Sequence, residues 1–489
     1  VVLPSGVSAW LGVPFAAPPV RDLRWRPPQR VAAWTAIRHA DRFAPECLQP
    51  LRGDRQNHYF GVEATSEDCL YLNIWAPAAA HGAPVIVWIY GGGFTIGSAS
   101  MANYSGEPLA REGVVRVNIA YRVGPLGFLA LPELGRESGN GGSGNYGLMD
   151  QIAALDWVKR NIARFGGDPG NVTIVGQSAG SMSVALLQTS PAARGLFRRA
   201  VGMSGSPFGG MLGPAPLGVA EAQGLALEKE LGATSLAALR ALPGDVVAAA
   251  KTPRDPIVVD GQIVTGPAER VFADRGQNDV PVLIGYTRDE SFRPLGPVAD
   301  RAALAAAVRA RFGEGATPAI LAAYADPDAA RAAANIARDS TVGRQMTEWA
   351  LYQARYGTQP AYGYFFTRRQ PYAPGITFSD HDPATVGAYH SGDVPYWLRT
   401  RPSLNLLRPT RAWESGDVAL EDEMAAALLA FARTGTPASP TIGRWPTFDP
   451  AAPRLVRLAP ASAVVAWPHI ADMALFAAPA PRTPTRPRD

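Results

Sequence analysis

Runs of apolar and β-branched residues along the chain predict strands, with a helix-compatible segment between two of them. Residues 84–90 form a continuous apolar run of the kind found in strands that are buried on both faces of a parallel sheet. Residues 171–175 are rich in β-branched side chains, residues 282–286 are apolar and residues 362–366 are aromatic, so each run predicts a further strand. Residues 181–187 have a sequence that is compatible with a helix.

A glycine–serine–glycine turn joins the predicted strand at 171–175 to the predicted helix at 181–187. Gly176-Gln-Ser178-Ala-Gly180 has the G-x-S-x-G spacing of a nucleophile elbow, in which a strained turn projects a serine hydroxyl into a cleft. The glycines allow close packing of strand and helix, and the helix directs its free N–H groups towards developing negative charge. The alternative is a glycine-rich turn with a solvated serine. The strand and helix on either side favour the elbow, and no second G-x-S-x-G occurs in the chain.

Three consecutive glycines, Gly91 to Gly93, follow the apolar run at 84–90 and precede Phe94. Backbone N–H groups in such a segment are not covered by side chains, which suits the oxyanion hole of an acyl-transfer enzyme. Taken alone, the three glycines would indicate a flexible loop. Together with an elbow further along the chain, they predict an oxyanion hole.

These motifs and several others resemble the type-B carboxylesterase/lipase family, the branch of the α/β-hydrolases that includes the cholinesterases. The matching segments run from about residue 10 to 210 and resume more sparsely from about 255 to 450. They include residues 12–19 (GVPFAAPP), 67–73 (EDCLYLN), 145–151 (NYGLMDQ), 165–169 (FGGDP) and 203–207 (MSGSP). Jointly these matches are highly specific.

The resemblance implies an α/β architecture, the α/β-hydrolase fold, with a central and mostly parallel twisted sheet flanked by helices. The length of 489 residues would by itself suggest two or three domains. The resemblance instead implies a single catalytic domain over residues 1–489, with helical cap or lid insertions at about 205–280 and 295–360. Residues 300–309 are helix-like and lie in the second insertion. Residues 477–489, which are rich in proline and arginine, are expected to form a disordered tail.

The histidine of the triad comes last along an α/β-hydrolase chain, after the nucleophile and the acid. Three of the six histidines precede Ser178 and are excluded by that order. Of the three that follow, only His390 lies in a segment that resembles the family, residues 388–396 (AYHSGDVPY). The resemblance therefore implies that His390 is the catalytic base. The other five histidines are expected to be structural or solvated.

The acid of the triad is expected between Ser178 and His390. Two adjacent carboxylates, Asp289 and Glu290, follow the predicted strand at 282–286, and the residues alone do not distinguish them. The family pattern places the acid at the second carboxylate. This implies Glu290, with Asp289 as the alternative.

The resemblance also implies roles for residues around the triad. The N–H groups of Gly92, Gly93 and Ala179 are expected to form the oxyanion hole. Ser204 and Asp393 occupy positions that in the family stabilise the catalytic histidine from outside the triad. An ordinary loop hydrogen bond is the alternative explanation for each of these two residues.

The chain departs from the family pattern around the substrate. Gln177 stands where the family usually has glutamate before the elbow serine, and Tyr90 stands where many esterases have histidine. Between Cys47 and Cys69 there is no tryptophan, the preferred platform for a choline cation, so cholinesterase activity is not expected. The candidate substrate contacts are Gln177, Phe94, Tyr59, Tyr389 and Arg288.

The chain has only two cysteines, Cys47 and Cys69, and both lie where the family has its first disulfide. The resemblance implies that they are bonded, which would stabilise the fold by roughly 3 kcal/mol in the chain-entropy model. A disulfide indicates an oxidising compartment, so we expect a secreted or periplasmic protein. Two free thiols in a cytosolic protein are the alternative. The chain begins at Val1 without a signal peptide, as a mature chain would.

Arginine dominates the basic residues, since only three of the 46 are lysines. With abundant alanine and proline, this is typical of a GC-rich bacterial genome rather than of an anionic partner, despite a net charge of +4. Several arginines nevertheless lie close in sequence to the predicted triad. They form either a solvated rim or a cleft that binds carboxylate-bearing esters through guanidinium groups. They are Arg288, Arg293, Arg368, Arg369, Arg399, Arg401, Arg408 and Arg411.

Several other function classes are not supported by the sequence. Residues 139–144 satisfy G-x-G-x-x-G, but residues 132–138 before them do not predict a strand, which argues against a dinucleotide site. The sequence shows no P-loop, no metal-binding spacing, no basic stripe with interleaved aromatics and no apolar stretch of about 18 residues. We therefore expect no cofactor, no metal, no nucleic-acid partner and no membrane span. The oligomeric state stays open.

The sequence predicts hydrolysis of a small-molecule carboxylic ester by a triad of Ser178, His390 and Glu290, through an acyl-enzyme intermediate. An esterase selective for polycarboxylate esters, such as the tricarballylate esters of fumonisin-type mycotoxins, is the alternative within the same class. Some relatives of the family are non-catalytic binding proteins. Those proteins lack the nucleophile, so an intact triad argues against that class.

Overall fold

The computed structural model describes residues 1–50, 56–57, 64–209, 213–251, 256–290 and 292–476. The sixteen strands of these residues are β1 Ser8–Pro14, β2 Glu46–Cys47, β3 Thr65–Ser66, β4 Tyr71–Ala76, β5 Ala83–Ile89, β6 Val115–Ile119, β7 Gly167–Gln177, β8 Arg199–Met203, β9 Ala215–Pro216, β10 Val258–Val259, β11 Val282–Thr287, β12 Ala361–Phe366, β13 Ala438–Ser439, β14 Gly443–Arg444, β15 Arg454–Leu458 and β16 Ala463–Ala466. Their fifteen α-helices are α1 Glu107–Ala110, α2 Gly124–Phe128, α3 Pro132–Ser138, α4 Tyr146–Asn161, α5 Ala179–Thr189, α6 Leu217–Glu230, α7 Leu236–Ala241, α8 Gly244–Ala249, α9 Ala268–Ala273, α10 Arg301–Phe312, α11 Thr317–Ala323, α12 Ala329–Asp339, α13 Val342–Tyr356, α14 Val394–Trp397 and α15 Ser415–Thr434. Short 3₁₀ helices occur at Arg21–Leu23, Ala102–Tyr104, Ile162–Phe165, Pro191–Ala193, Arg401–Asn405 and Asp472–Phe476.

Ten of these strands form one sheet in the order β1-β4-β6-β5-β7-β8-β11-β12-β15-β16. Every pair from β6 to β15 in that order is parallel, whereas the pairs at the two ends of the sheet are antiparallel. Because the carboxyl ends of parallel strands share one edge, the loops that follow β5, β7 and β11 lie at the same edge of the sheet. These loops carry the predicted oxyanion glycines, the predicted nucleophile and the predicted acid.

The strands predicted from the apolar and aromatic runs are β5, β7, β11 and β12. In β5, each of residues 85–89 is 0% exposed, because neighbouring strands flank it and other elements cover both of its faces. Burial on both faces explains why these runs lack the alternation of a half-exposed strand. The prediction differs mainly at β7, which begins at Gly167 rather than at residue 171.

Helices pack against the central strands and complete the core. α4, α5, α13 and α15 contact these strands, and Trp349 of α13 and Trp88 of β5 are both 0% exposed. α6 to α9 lie within the predicted insertion at 205–280, and α10 to α13 lie within that at 295–360. α10, α11 and α12 share a small hydrophobic cluster of their own, which includes Leu304, Ile320 and Ile336. That these segments act as a cap or lid stays a prediction.

Cys47 and Cys69 are joined by a disulfide, so the pairing implied by the family resemblance is confirmed. Both cysteines are buried. In the part of the chain that the structure describes, no helix is both long enough and apolar enough to cross a membrane. The same part contains no cluster of three or more His, Cys, Asp or Glu side chains that could hold a metal ion. Residues 477–489, the predicted tail, lie outside the described residues.

Candidate active site

The elbow turn places Ser178 between β7 and α5. Ser178 has a φ of 58°, in the left-handed region that strains a residue with a side chain. It is the residue directly before α5, and its side chain makes no capping hydrogen bond to the helix. Gly176 and Gly180 permit this turn. A Cβ on Gly176 would lie 2.3 Å from the Gly180 carbonyl oxygen, and one on Gly180 would lie 2.1 Å from the Ile89 carbonyl oxygen. The local order of strand, turn and helix is therefore the one that the spacing of the motif predicts.

The N–H groups predicted to form the oxyanion hole come from two neighbouring loops. Gly92 and Gly93 follow β5, and Ala179 is the first residue of α5. Within the described part of the chain, none of these three N–H groups donates a backbone hydrogen bond. Gly93 and Ala179 line the same cavity as Ser178, so their N–H groups are free to meet a substrate oxygen there.

Glu290 lies directly against the imidazole of His390. One carboxylate oxygen, Oε2, accepts the Nδ1–H of His390, and the other, Oε1, accepts the backbone N–H of Thr287 at 2.9 Å. The Glu290 side chain is 0% exposed, and that of His390 is 16% exposed. Because both carboxylate oxygens have donors, the carboxylate is held in place against the imidazole, where it can stabilise a positive charge on the ring.

Asp289, the alternative acid, makes different contacts. Its Oδ2 accepts the backbone N–H of Ala388 at 2.7 Å and the Nε–H of Arg288 at 2.9 Å. These bonds fasten the loop that leads to His390, and neither of them reaches the imidazole. The two adjacent carboxylates thus have separate surroundings, and only the second has a hydrogen bond to the histidine.

The other ring nitrogen of His390 faces Gln177. The side-chain amide of Gln177 donates from Nε2 to the imidazole Nε2 at 3.2 Å. With a carboxylate at Nδ1 and an amide donor at Nε2, the neutral imidazole carries its proton on Nδ1 and presents a lone pair at Nε2. A general base that accepts a proton at Nε2 needs this tautomer.

Two opposing effects act on the pKa of His390. Burial of the ring acts to lower the pKa because it penalises the charged form. The negative charge and hydrogen bond of Glu290 outweigh burial, with a further contribution from the charge of Asp393, so the pKa lies above its ordinary value of 6.5. The surroundings therefore favour the protonated ring once it has taken a proton.

Asp393 and Ser204 are both buried near these groups, but they have different surroundings. Burial raises the pKa of Asp393 to about 6, against the effect of the Tyr364 hydroxyl, which donates to its Oδ2 at 2.7 Å. Ser204 donates its N–H to the Gly285 carbonyl at 2.8 Å and borders the cavity beside Ser178. Asp393 is thus close enough for its charge to act on the histidine, whereas Ser204 borders the space open to a substrate.

Ser178 lies where two cavities meet. The first, which we call the apolar cavity, has a volume of about 260 Å³. Apolar side chains such as Phe94, Met182, Phe292 and Val342 line it, and its described lining residues include no charged side chain. Its polar groups include the backbone around Gly93 and Ala179, so an acyl chain here would lie beside the predicted oxyanion hole.

The second cavity, which we call the polar cavity, has a volume of about 250 Å³. His390 and Gln177 line it, together with Asn103 and Asp380. Asp380 is the single carboxylate among its described lining residues, and no arginine or lysine occurs among them. The second cavity is therefore the more polar of the two, although apolar side chains such as Ile96 and Val394 also line it.

The predicted substrate contacts do not all lie at these cavities. Gln177 lines the polar cavity and Phe94 the apolar one. Tyr389 is buried and donates its hydroxyl to Gln370 at 3.0 Å, and neither it nor Arg288 is among the described residues that line either cavity. Tyr59 lies outside the described residues.

Most arginines near the triad have partners on the protein. Ion pairs join Arg288 to Asp289, Arg368 to Asp417, Arg399 to Asp422 and Arg401 to Glu421. Arg369 and Arg408 donate to the carbonyls of Pro383 and Thr377, and Arg293 is exposed. Arg411 is 3% exposed and donates to the side-chain oxygens of Gln370 and Asn57. Among the described lining residues of the two cavities there is no arginine.

Several residues that line the cavities were not predicted from the sequence. They are Met182 and Phe292 in the apolar cavity and Asn103, Tyr104 and Asp380 in the polar one. Met182 follows the elbow by one helical turn, and that spacing is the one signal that could have found it. The others come from loops and a 3₁₀ helix that are far apart in sequence, and no motif connects them.

Comparison with known proteins identifies the family. The sequence matches the model of the carboxylesterase family over residues 3–466. A fumonisin B1 esterase from Sphingopyxis macrogoltabida is 38% identical over 465 residues, which cover 91% of this chain and 82% of that protein. A para-nitrobenzyl esterase from Bacillus subtilis (strain 168) is 31% identical over 481 residues, which cover 91% of this chain and 89% of that protein. A solved structure of a PNB esterase has a TM-score of 0.81 and 29% identity, covering 97% of this chain and 96% of that one.

The family match spans nearly the whole described chain, and the solved structure has the same fold over almost all of both chains. The predicted type-B carboxylesterase family and α/β-hydrolase fold are thereby confirmed. The relatives are esterases of small molecules by name, in agreement with the family match. The chain therefore belongs to the carboxylesterase family and is a carboxylic ester hydrolase that acts on small-molecule esters.

Proposed function

We propose that this carboxylesterase uses Ser178 as its nucleophile, His390 as its general base and acid, and Glu290 as the group that orients the imidazole. The observation that carries the proposal is the hydrogen bond from His390 to a buried carboxylate, beside a strained serine at the tip of an elbow. Perturbed ionisable groups next to a cavity are typical of catalytic sites. The pKa of His390 is raised in this setting, and both cavities open on Ser178.

The first step is attack of the Ser178 hydroxyl oxygen on the ester carbonyl carbon, while Nε2 of His390 accepts the hydroxyl proton. In the resting enzyme Gln177 donates to that same nitrogen. The serine hydroxyl must therefore replace the amide as the donor to Nε2. Glu290 stabilises the imidazolium that results.

The tetrahedral intermediate carries its negative charge on the former carbonyl oxygen. The N–H groups of Gly92, Gly93 and Ala179 are our proposed donors to that oxygen, and each contributes on the order of 3 kcal/mol to transition-state stabilisation. Collapse of the intermediate breaks the bond to the alcohol, which His390 protonates as it leaves. Water then hydrolyses the acyl-enzyme by the same route, with His390 again as the base.

The proton route determines which way the ester lies. His390 protonates the leaving alcohol, and His390 lines the polar cavity but is not among the described residues of the apolar cavity. We therefore assign the alcohol group to the polar cavity and the acyl group to the apolar cavity. The apolar lining, which includes Phe94, Met182 and Val342, fits an acyl chain that is neutral and hydrophobic.

The proposal is tested with Ser178→Ala and p-nitrophenyl butyrate. We expect kcat to fall by about 10⁴-fold or more, with the fold intact. Ser183→Ala is the matched control, because Ser183 lies on the same helix and accepts a hydrogen bond from Gln151 at 3.1 Å without lining either cavity. The control should keep its activity. A fluorophosphonate adduct mapped by mass spectrometry to any serine other than Ser178 would overturn the assignment.

Selectivity for polycarboxylate esters is the second candidate, and the observation that favours it is 38% identity to a fumonisin B1 esterase. The cavities favour a neutral ester instead, because their described lining includes no arginine or lysine. Turnover of two esters that differ only in a free or methylated carboxylate on the acyl group distinguishes the two. If the anionic ester has the higher kcat/KM, and this advantage declines with added salt, the hypothesis of selectivity for polycarboxylate esters is supported.

We also propose that the protein works in an oxidising compartment, either secreted or in a bacterial periplasm. The disulfide between Cys47 and Cys69 supports this, because such bonds are rare in reducing cytosol. Fractionation of the native host, followed by peptide mapping without reduction, tests it. Cytoplasmic protein with two alkylatable thiols would contradict the proposal.

A further inference from the structure

The polar cavity contains a carboxylate on the side where the proposed function puts the leaving alcohol. Asp380 lies in the segment after β12, ten residues before His390, and it lines the cavity together with Ser178. Its side chain is 41% exposed, so the carboxylate is in contact with solvent and not enclosed by the protein. Apart from His390, the other described lining residues carry no ionisable charge near neutral pH.

The surroundings of Asp380 keep its carboxylate ionised. The backbone N–H of Asn57 donates to both of its oxygens, at 3.1 and 3.3 Å, and Nδ1 of His381 lies 3.3 Å from Oδ1. Partial burial acts to raise the pKa of Asp380, but the hydrogen bonds from His381 and Asn57 outweigh it, and the pKa lies below its ordinary value. The Tyr372 hydroxyl and Nε2 of His381 form a hydrogen bond at 3.0 Å, which holds the ring against Asp380.

A second polar group lines the same cavity without a complete set of partners. Asn103 is 2% exposed, and its side-chain Oδ1 is itself covered and accepts no hydrogen bond in the described part of the chain, so the amide must rotate before this oxygen meets a ligand. A buried amide oxygen without a hydrogen-bond donor lowers the stability of the protein unless a ligand or a water pairs with it. Rotation of the Asn103 amide group by 180° exchanges its oxygen and its nitrogen. Asn103 and Asp380 reach the cavity from segments 277 residues apart.

We propose that the alcohol moiety of the preferred ester carries a primary ammonium group, which Asp380 binds in the polar cavity with the Asn103 amide as a second contact. The inference rests on the proposed function, because that function assigns the alcohol to this cavity. An ammonium N–H makes a charge-assisted hydrogen bond to a carboxylate, which a neutral alkyl group cannot make. An anionic alcohol moiety is repelled by Asp380, and a trimethylammonium group has the charge but no N–H to donate.

The test compares three butyrate esters that share one leaving-group skeleton. They are the 4-(aminomethyl)benzyl, 4-(trimethylammoniomethyl)benzyl and neutral 4-ethylbenzyl esters. At about pH 8 the primary amine is protonated. We expect the kcat/KM of the wild-type enzyme to be highest for the aminomethyl ester. Because Asp380 is partly exposed, the advantage over the neutral ester should be roughly tenfold, the lower end of what a hydrogen bond to a charged group supplies.

Two variants and a matched control measure the contribution of the carboxylate. Asp380→Asn keeps an acceptor for the Asn57 N–H but removes the charge, and it should abolish the preference for the aminomethyl ester. Asn103→Asp adds a second carboxylate to the cavity and should increase that preference. Asp382→Asn is the control, because it makes the same change in net charge at an exposed position. Among the described residues, the Asp382 carboxylate bonds only within its own turn. The preference of this control variant should equal that of the wild type.

The outcomes separate this inference from the proposed function. If Ser178→Ala still hydrolyses these esters, the proposed function fails and the inference fails with it. If Ser178→Ala is inactive but Asp380→Asn keeps the wild-type preference, only the inference is overturned. Equal rates for the primary and quaternary ammonium esters would also overturn it, because they would show general attraction of a cation without a hydrogen bond. If Asp380→Asn does not fold, the Asn103→Asp variant tests the inference instead. An unchanged or smaller preference of that variant for the aminomethyl ester over the neutral ester contradicts the inference.

Discussion

Replacing Glu290 by glutamine probes the proposed triad most directly, because the structure dictates how the new amide must sit. Oε1 of Glu290 accepts the Thr287 N–H at 2.9 Å, while Oε2 accepts the Nδ1–H of His390. The glutamine has one oxygen, and turning its NH₂ group towards Thr287 would set two donors against each other in a fully buried position. The NH₂ group therefore faces His390 and donates to Nδ1, which moves the ring proton to Nε2.

That tautomer cannot accept the proton of Ser178. When an uncharged amide replaces the acid of a serine-hydrolase triad, kcat falls by about 10⁴-fold with the geometry intact, and we expect a loss of this size. Asp289→Asn is the matched control one residue away. Its carboxylate accepts the Ala388 N–H and forms a partly exposed ion pair with Arg288. An asparagine oxygen can still accept that N–H, so the substitution should cost less than about tenfold in activity.

The pH dependence gives a second readout of the same variant. The pKa of wild-type His390 is raised because Glu290 outweighs burial. Hydrolysis needs the neutral ring, so activity rises as the pH passes upward through this pKa. Without the carboxylate, burial is opposed only by Asp393, and the acid limb of kcat/KM should move to lower pH. Equal losses in the two variants, or an acid limb that stays in place or moves upward, would refute the reasoning.

Three further predictions follow from single contacts. Gln177→Glu places a second carboxylate beside Nε2 of His390, where the amide now lies at 3.2 Å. The added negative charge raises the pKa of the imidazole, so the acid limb of kcat/KM should move to higher pH. An acid limb that does not move would mean that residue 177 does not contact the ring. Cys69→Ser opens a loop with a sequence separation of 22, and calorimetry should show a loss of roughly 3 kcal/mol in unfolding free energy, whereas an unchanged Tm would mean that the loop is held by other contacts. Gly180→Ala puts a Cβ 2.1 Å from the Ile89 carbonyl oxygen, so chemical denaturation should report a loss of about 1–3 kcal/mol or more, and a stable variant would show that the turn can open.

The central strands could be predicted from the sequence because burial on both faces leaves a signal in the chain itself. β5 shows this most clearly, since its residues 85–89 are all fully buried and all apolar. The outer strands leave no such signal. β16 has four residues, three half-buried and one exposed, and it is a strand because β15 supplies its partners. An edge strand of this kind forms because residues elsewhere in the chain pair with it, so its own composition does not predict it.

Ser178 and its flanking glycines could also be predicted, because a sharp turn between strand and helix requires particular residues at fixed spacing. The choice between Asp289 and Glu290 required the family pattern. In the structure, the chain turns after β11 so that Glu290 folds back on the Thr287 N–H while Asp289 reaches Ala388. Two adjacent carboxylates have nearly the same local sequence, and what separates them is the direction of each side chain in a turn that the rest of the fold determines.

The charge of the cavities could not be predicted, and the arginines illustrate why. Arginine is abundant near the triad in sequence, which left open either a solvated rim or a positive cleft. In the structure, Arg368, Arg399 and Arg401 are neutralised by carboxylates on other segments, and a charge that is paired contributes little to the field elsewhere. The cavity beside His390 instead contains Asp380, one acidic residue that no motif marks. The field at a site depends on the charges that face it in the folded chain, so counting charges along a sequence does not give the charge of the described lining.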